Sequence, residues 1–225
     1  MKQWLQLLRA AISPKRVWQG PLVESARSIL KPERVLSAKQ AAIVWRMEAP
    51  PPEKIMLRYT RATLINCATE NRTREYMWYL VWLFGFSLRA QRARTGEFRF
   101  KSPCFDLEQD WWLDPSENFW ANRYFPEGYY LIDLSGKGED MPHDAQEEKI
   151  KALGVVKRAR SAMVTESAIG LREDRKTSLL GNWYHVGERD PQGKLVICGK
   201  FNGRKGFWIE REDPQNHDPN LRVCL

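Results

Sequence analysis

From Tyr76 to Leu88 the chain runs for thirteen residues without a charge, and six of them are aromatic. Wound as a helix, this block is apolar on every side, with Trp78, Leu80, Trp82, Leu83, Phe84 and Phe86 leaving no polar face. Such a segment has to be shielded from water, whatever the rest of the chain does. At about 1.5 Å per residue it spans roughly 20 Å, short of the roughly 30 Å hydrocarbon core that a transmembrane helix crosses. The expectation is a hydrophobic aromatic helix covered by protein or by lipid. Arg89, Arg92 and Arg94 follow at once and suit phosphate headgroups, while Tyr76, Trp78 and Tyr79 suit the opposite interface. A core helix with solvated ends is the alternative.

Charge is distributed unevenly around this block. The net charge is +8, yet residues 1–100 carry 18 basic and 7 acidic side chains, whereas residues 101–150 carry 4 and 12. A uniformly basic chain would point to nucleic acid along its whole surface. A basic first part followed by an acidic, aromatic middle suits a protein that meets several neighbours, or one whose halves neutralise each other within the fold. The 225 residues, 43% hydrophobic with ten Trp, are enough for a packed core and too apolar for disorder.

Residues 1–23 contain Lys2, Arg9, Lys15 and Arg16 and no acidic side chain. Trp4, Leu5, Leu8, Ala11 and Ile12 recur at helical spacing on one face. That profile fits a mitochondrial presequence, an interfacial amphipathic helix or a helix docked on a partner.

Three regions follow from the local signals. Residues 1–96 read as a mostly helical basic region. Ser37 and Gln40 form a capping box for a helix through Ala41, Val44 and Met47, and Pro50-Pro51-Pro52 ends it. Lys54 to Arg94 then reads as one long helix or a helix pair. Residues 97–128 read as an irregular acidic, aromatic arm, with a cap, proline and return carboxylate at Asp114, Pro115 and Glu117. Residues 129–225 read as a small α+β lobe: a strand over Tyr129–Leu134, a charged helix over Asp144–Leu153, and a second helix through Ala159, Met163, Val164 and Ala168. An antiparallel β-meander follows, with strands at Asn182–Val186, Lys194–Phe201 and Phe207–Glu210. The polar tail from Asp213 is expected to run over a surface. The fold class is therefore α+β.

No arrangement of residues announces a reaction. Cys67, Cys104, Cys198 and Cys224 are far apart and form no metal-ligand spacing with His143, His185 or His217, so no metal or cofactor is expected and buried free thiols are the default. Ser135-Gly136-Lys137-Gly138 lacks the spacing of a phosphate-binding loop and reads as a turn. Asp106, Glu108, Asp110, Asp114 and Glu117 could pair for acid–base work but alternate with rings, which favours a solvated or partner-facing strip. Lys200, Arg204, Lys205 and Trp208 combine cations with a stacking ring around a hairpin, a way of holding single-stranded nucleic acid.

These features point to a non-catalytic accessory subunit of a large, membrane-bound assembly, of the mitochondrial respiratory or ATP synthase type at the inner membrane. Membrane or partner contact is expected at Trp4, Leu5, Leu8, Tyr76, Trp78, Trp82, Phe84, Phe86, Arg89 and Arg92, and docking on other subunits at Trp111, Trp112 and Trp120. The alternatives are a nucleic-acid-associated protein, such as a ribosomal accessory subunit, and a component of a viral particle, with a cytoplasmic or particle location.

Overall fold

The computed structural model describes residues 22–73, 76–97, 104–106, 108–135, 148, 158–175, 183–202, 206–214 and 221–223. The fold is α+β. Helix α1 (Leu22–Leu30) leads through a 3-10 turn into the short strand β1 (Val35–Leu36) and then α2 (Ala38–Trp45). The capping box at the start of α2 forms as expected: the Ser37 hydroxyl accepts the Gln40 N–H, and the Gln40 side chain accepts the Ser37 N–H.

The aromatic block is not a helix. Trp78–Leu83 is strand β2, Phe84 to Ser87 connects it onward, and α4 (Leu88–Glu97) begins at the last residue of the block. The long helix expected over Lys54 to Arg94 is likewise replaced by α3 (Arg61–Thr73), β2 and α4. The reason lies in the position of β2. It pairs in parallel with β1, Val35 opposite Leu80, and antiparallel with β3 (Gly128–Asp133), Trp78 opposite Asp133 through Leu83 opposite Gly128. Helices α2 and α3 pack against this strand, and all six of its residues are buried. A strand flanked on both edges and dry on both faces needs an unbroken apolar run, the same pattern that a fully buried helix needs. The ends of the run are tied to polar groups: Asp133 accepts the Met77 N–H at 2.7 Å, and the Asn71 amide both accepts the Trp78 N–H and donates to its carbonyl.

Strand β3, expected in the C-terminal lobe, is thus an edge of a sheet that begins in the N-terminal region. The second sheet holds the expected meander, β4 (Trp183–Arg189), β5 (Leu195–Asn202) and β6 (Gly206–Glu212), antiparallel throughout. Strand β7 (Leu221–Val223), in the tail expected to run over a surface, adds in parallel beside β4, giving the order β6-β5-β4-β7.

Helix α6 (Ser161–Arg175) links the two sheets, packing against β1, β2, β4 and β5 as well as α2 and α4. From Val164 to Arg172 every residue is buried. Close approach to β1 depends on Gly170, where a Cβ would lie 2.8 Å from Leu36 Cδ2. Polar groups join α6 to α4: Thr165 donates to Gln91 and to the Ser161 carbonyl, and Gln91 donates to the Phe86 and Ala162 carbonyls. One hydrophobic core runs through α1 to α4, α6 and strands β1 to β6, from Ala26 to Ile209. Residues 1–21, and all but Glu148 of the expected helix Asp144–Leu153, lie outside the described residues. No helix of the described residues is long and apolar enough to cross a membrane.

Candidate functional site

The acidic, aromatic arm is strapped along the free edge of β6. Phe105 bridges Phe207 in parallel, the Asp106 N–H reaches the Phe207 carbonyl, and the Phe207 N–H reaches the Cys104 carbonyl, both at 2.9 Å. At the next outward position side chains replace backbone: Gln109 accepts the Ile209 N–H, and the Trp111 indole donates to the Ile209 carbonyl. The open edge of a sheet is thereby satisfied within the chain. The approach is close enough to require glycine at 206, where φ is +95° and a Cβ would lie 2.7 Å from Phe105 N.

Arg211 fastens the far end of this strap. Its guanidinium bonds Glu117 at 2.8 Å, lies 3.3 Å from Asp190, and sits 4.1 Å over the Trp111 ring. Glu117 in turn accepts the Trp120 indole N–H at 2.6 Å. The expected return carboxylate of a helix cap is thus a buried link between arm and sheet. Asp114 keeps its capping role towards Ser116, ahead of the short helix α5 (Asn118–Ala121).

The residues singled out from sequence fall into separate places. Trp78, Trp82, Phe86, Trp112 and Trp120 are buried in the core, while Tyr76, Phe84 and Trp111 are half-buried against it. Phe84 and Phe86 stack on each other, and Trp82 meets Tyr129 edge-on across β2 and β3. Arg89 donates to the Trp112 and Asp114 carbonyls and Arg92 to the Asp106 carbonyl, so both hold the arm. The apolar block is covered by this chain's own elements. Asp106 and Glu117 are buried, whereas Glu108, Asp110 and Asp114 are exposed, so the acidic strip is split between interior and surface. Trp208 is half-buried on β6. Trp4, Leu5, Leu8, Arg204 and Lys205 lie outside the described residues, as does the side chain of Lys200.

Two carboxyls that no sequence motif singles out are the most perturbed among the described residues. Glu166, on α6, faces the connection after β2: one oxygen accepts the Phe84 N–H at 2.5 Å and the other the Phe86 N–H at 3.0 Å. Burial pushes its carboxyl up to about 8, against the opposing pull of the Phe84, Phe86 and Gly85 amides. Glu188 accepts the Ser161 N–H at 2.9 Å, closing the N-terminus of α6, and burial pushes it up to about 7. Arg160 and Arg123 act on Glu188 from nearby. The available signal for Glu166 was its isolation, since it is the only charge between Arg160 and Arg172. Both carboxyls serve backbone amides, a structural use of groups that could otherwise exchange protons. Cys67, Cys104 and Cys198 are buried free thiols; burial raises Cys67 to about 12 and Cys104 to about 11, so both are poor nucleophiles. No cluster of potential metal ligands occurs among the described residues.

The raised carboxyls set a pH dependence. The native chain binds these protons more tightly than the unfolded chain does, so their stabilising contribution is complete below about pH 4.5. It is lost as pH rises, through about 7 for Glu188 and about 8 for Glu166. Stability should therefore fall between about pH 5 and about pH 8, by up to roughly 3 kcal/mol from Glu188 alone. Glu188→Gln keeps an acceptor for the Ser161 N–H and removes the titration. Its melting temperature should vary less with pH than that of the wild type, and superimposable profiles would refute the assignment.

No protein-family model, curated protein or solved structure matches this chain.

Proposed function

We propose that this chain is a non-catalytic accessory subunit of a multiprotein assembly, and that the outer side of the arm is where a neighbouring subunit meets it. One observation carries the reading: the arm buries Trp112, Trp120 and Phe125 on its inner side yet leaves Phe119 59% and Tyr124 61% exposed. Large rings held outward on a segment anchored from behind are what an interface hot spot requires, because the anchored backbone loses little further freedom on binding. In this reading membrane attachment falls to the acid-free amphipathic residues 1–12, since the apolar surface of the block is used inside the fold. A membrane-bound host assembly, such as one of the mitochondrial inner membrane, follows from that segment alone.

The test is purification of the tagged full chain from the cells that make it, with and without Phe119→Ala and Tyr124→Ala together. Neither ring supports the core, so the melting temperature should change by only a few degrees. Each truncated hot-spot ring weakens binding by about 2 kcal/mol, or roughly 30-fold, so the co-purifying subunits should be lost. An unchanged set of partners, or recovery of the wild type chiefly with ribosomal RNA, would overturn the proposal.

A further inference from the structure

A second exposed surface has the opposite character to the arm. From Glu53 to Thr73 the exposed charges are Lys54, Arg58, Arg61 and Arg72 against Glu53 alone; Glu70 is half-buried and bound to the Trp78 indole. Met56 and Ile65 lie exposed among these cations, at 44% and 40%. On α3 the positions of Arg61, Ile65 and Arg72 differ by four and seven residues, which brings all three onto one narrow stripe of the helix. The arm presents the counterpart. From Glu108 to Glu127 its exposed charges are Glu108, Asp110, Asp114 and Glu127 against Arg123 alone, with Phe119 and Tyr124 as the exposed rings.

We propose that the occupant of the arm's outer face is the α3 surface of a second copy of this chain. The proposal rests on the reading of the arm as an interface and names its partner. Each surface combines four like charges with two exposed apolar side chains, and the two signs are opposite. Charge complementarity of this kind fixes orientation and suppresses wrong pairings. The net charge of +8 makes copies repel in other orientations, which favours the one that brings acidic arm to basic helix. Because the two surfaces differ, the contact is head to tail, and repetition of it closes a ring or extends a chain of copies.

Sedimentation velocity on the full chain tests this. In about 50 mM salt the sedimentation coefficient should rise with concentration up to about 100 µM, and in about 500 mM salt the association should weaken by roughly tenfold or more, because exposed charges are screened. Arg61→Glu with Arg72→Glu should abolish association, and so should Asp110→Lys with Glu127→Lys. An equimolar mixture of the two double variants should restore it, since the reversed helix face of one then meets the reversed arm of the other. A wild type that stays monomeric at both salt concentrations, or an association indifferent to both pairs of substitutions, would overturn the proposal. A monomeric wild type whose partners are nonetheless lost on replacing Phe119 and Tyr124 would leave the arm as an interface for a different protein.

Discussion

Gly85→Ala is expected to remove most of the stability of this chain. Gly85 has φ +80°, and a Cβ there would lie 2.0 Å from the Phe125 carbonyl oxygen and 3.1 Å from its carbon. The two segments are already bonded, with the Phe125 N–H donating to the Gly85 carbonyl at 3.2 Å. The overlap is with backbone, so no rotamer relieves it. Relief requires moving Phe125 off Gly85, which disturbs its edge-on contact with Tyr130, or moving the amides of Phe84 and Phe86 off Glu166. A cost above about 4 kcal/mol places this among the severe single substitutions and lowers the melting temperature by about 10 °C or more. Gly193→Ala is the control: φ is +82° there, but nothing lies within 4 Å of a Cβ. It should cost only the left-handed backbone, about 1–2 kcal/mol. Equal losses from the two substitutions would show that the close approach at Gly85 contributes nothing.

Glu166→Ala should be nearly as damaging. It leaves the half-buried Phe84 amide and the buried Phe86 amide without their acceptor, and each orphaned group costs about 1–3 kcal/mol. The total, roughly 3–5 kcal/mol with the cavity included, corresponds to a melting temperature lower by about 10 °C. Glu166→Gln should be milder. Its single carbonyl can take one of the two amides, as a protonated carboxyl can, and it removes the loss of stability that ionisation of Glu166 brings as pH rises towards 8. The stability of the wild type minus that of Glu166→Gln should therefore be greatest in acid and fall towards alkaline pH, where the variant can become the more stable of the two. A difference that grows in favour of the wild type as pH rises would contradict this account.

What was legible in the sequence is what local chemistry decides. The Ser37 and Gln40 capping box, the Asp114 cap and the three meander strands all formed within a few residues of their expected positions, because each depends on neighbours in the chain. The aromatic block misled because its apolar run lacks a period, and a strand buried on both faces shares that signature with a buried helix. Length and the glycine at position 85 were the available discriminants. The arm is expected from sequence to dock on other subunits, whereas the surface it lies against is β6 of this same chain, about a hundred residues further on. Glu166 and Glu188 were invisible for the same reason: the amides they serve belong to elements up to 82 residues away.

That separation matters most while the chain is being made. At about 5–20 residues per second, the ribosome needs roughly 5–20 s after releasing Phe105 before Phe207 follows it. Throughout that interval the strap has no strand to lie against, and the Trp111 ring has neither the Ile209 carbonyl nor the Arg211 guanidinium that hold it in the finished fold. The nascent chain thus spends several seconds with an aromatic segment uncovered, a natural client for a chaperone that binds such segments. Maturation ends as a zipper closes, with the last-made strands sealing a segment that left the ribosome long before them.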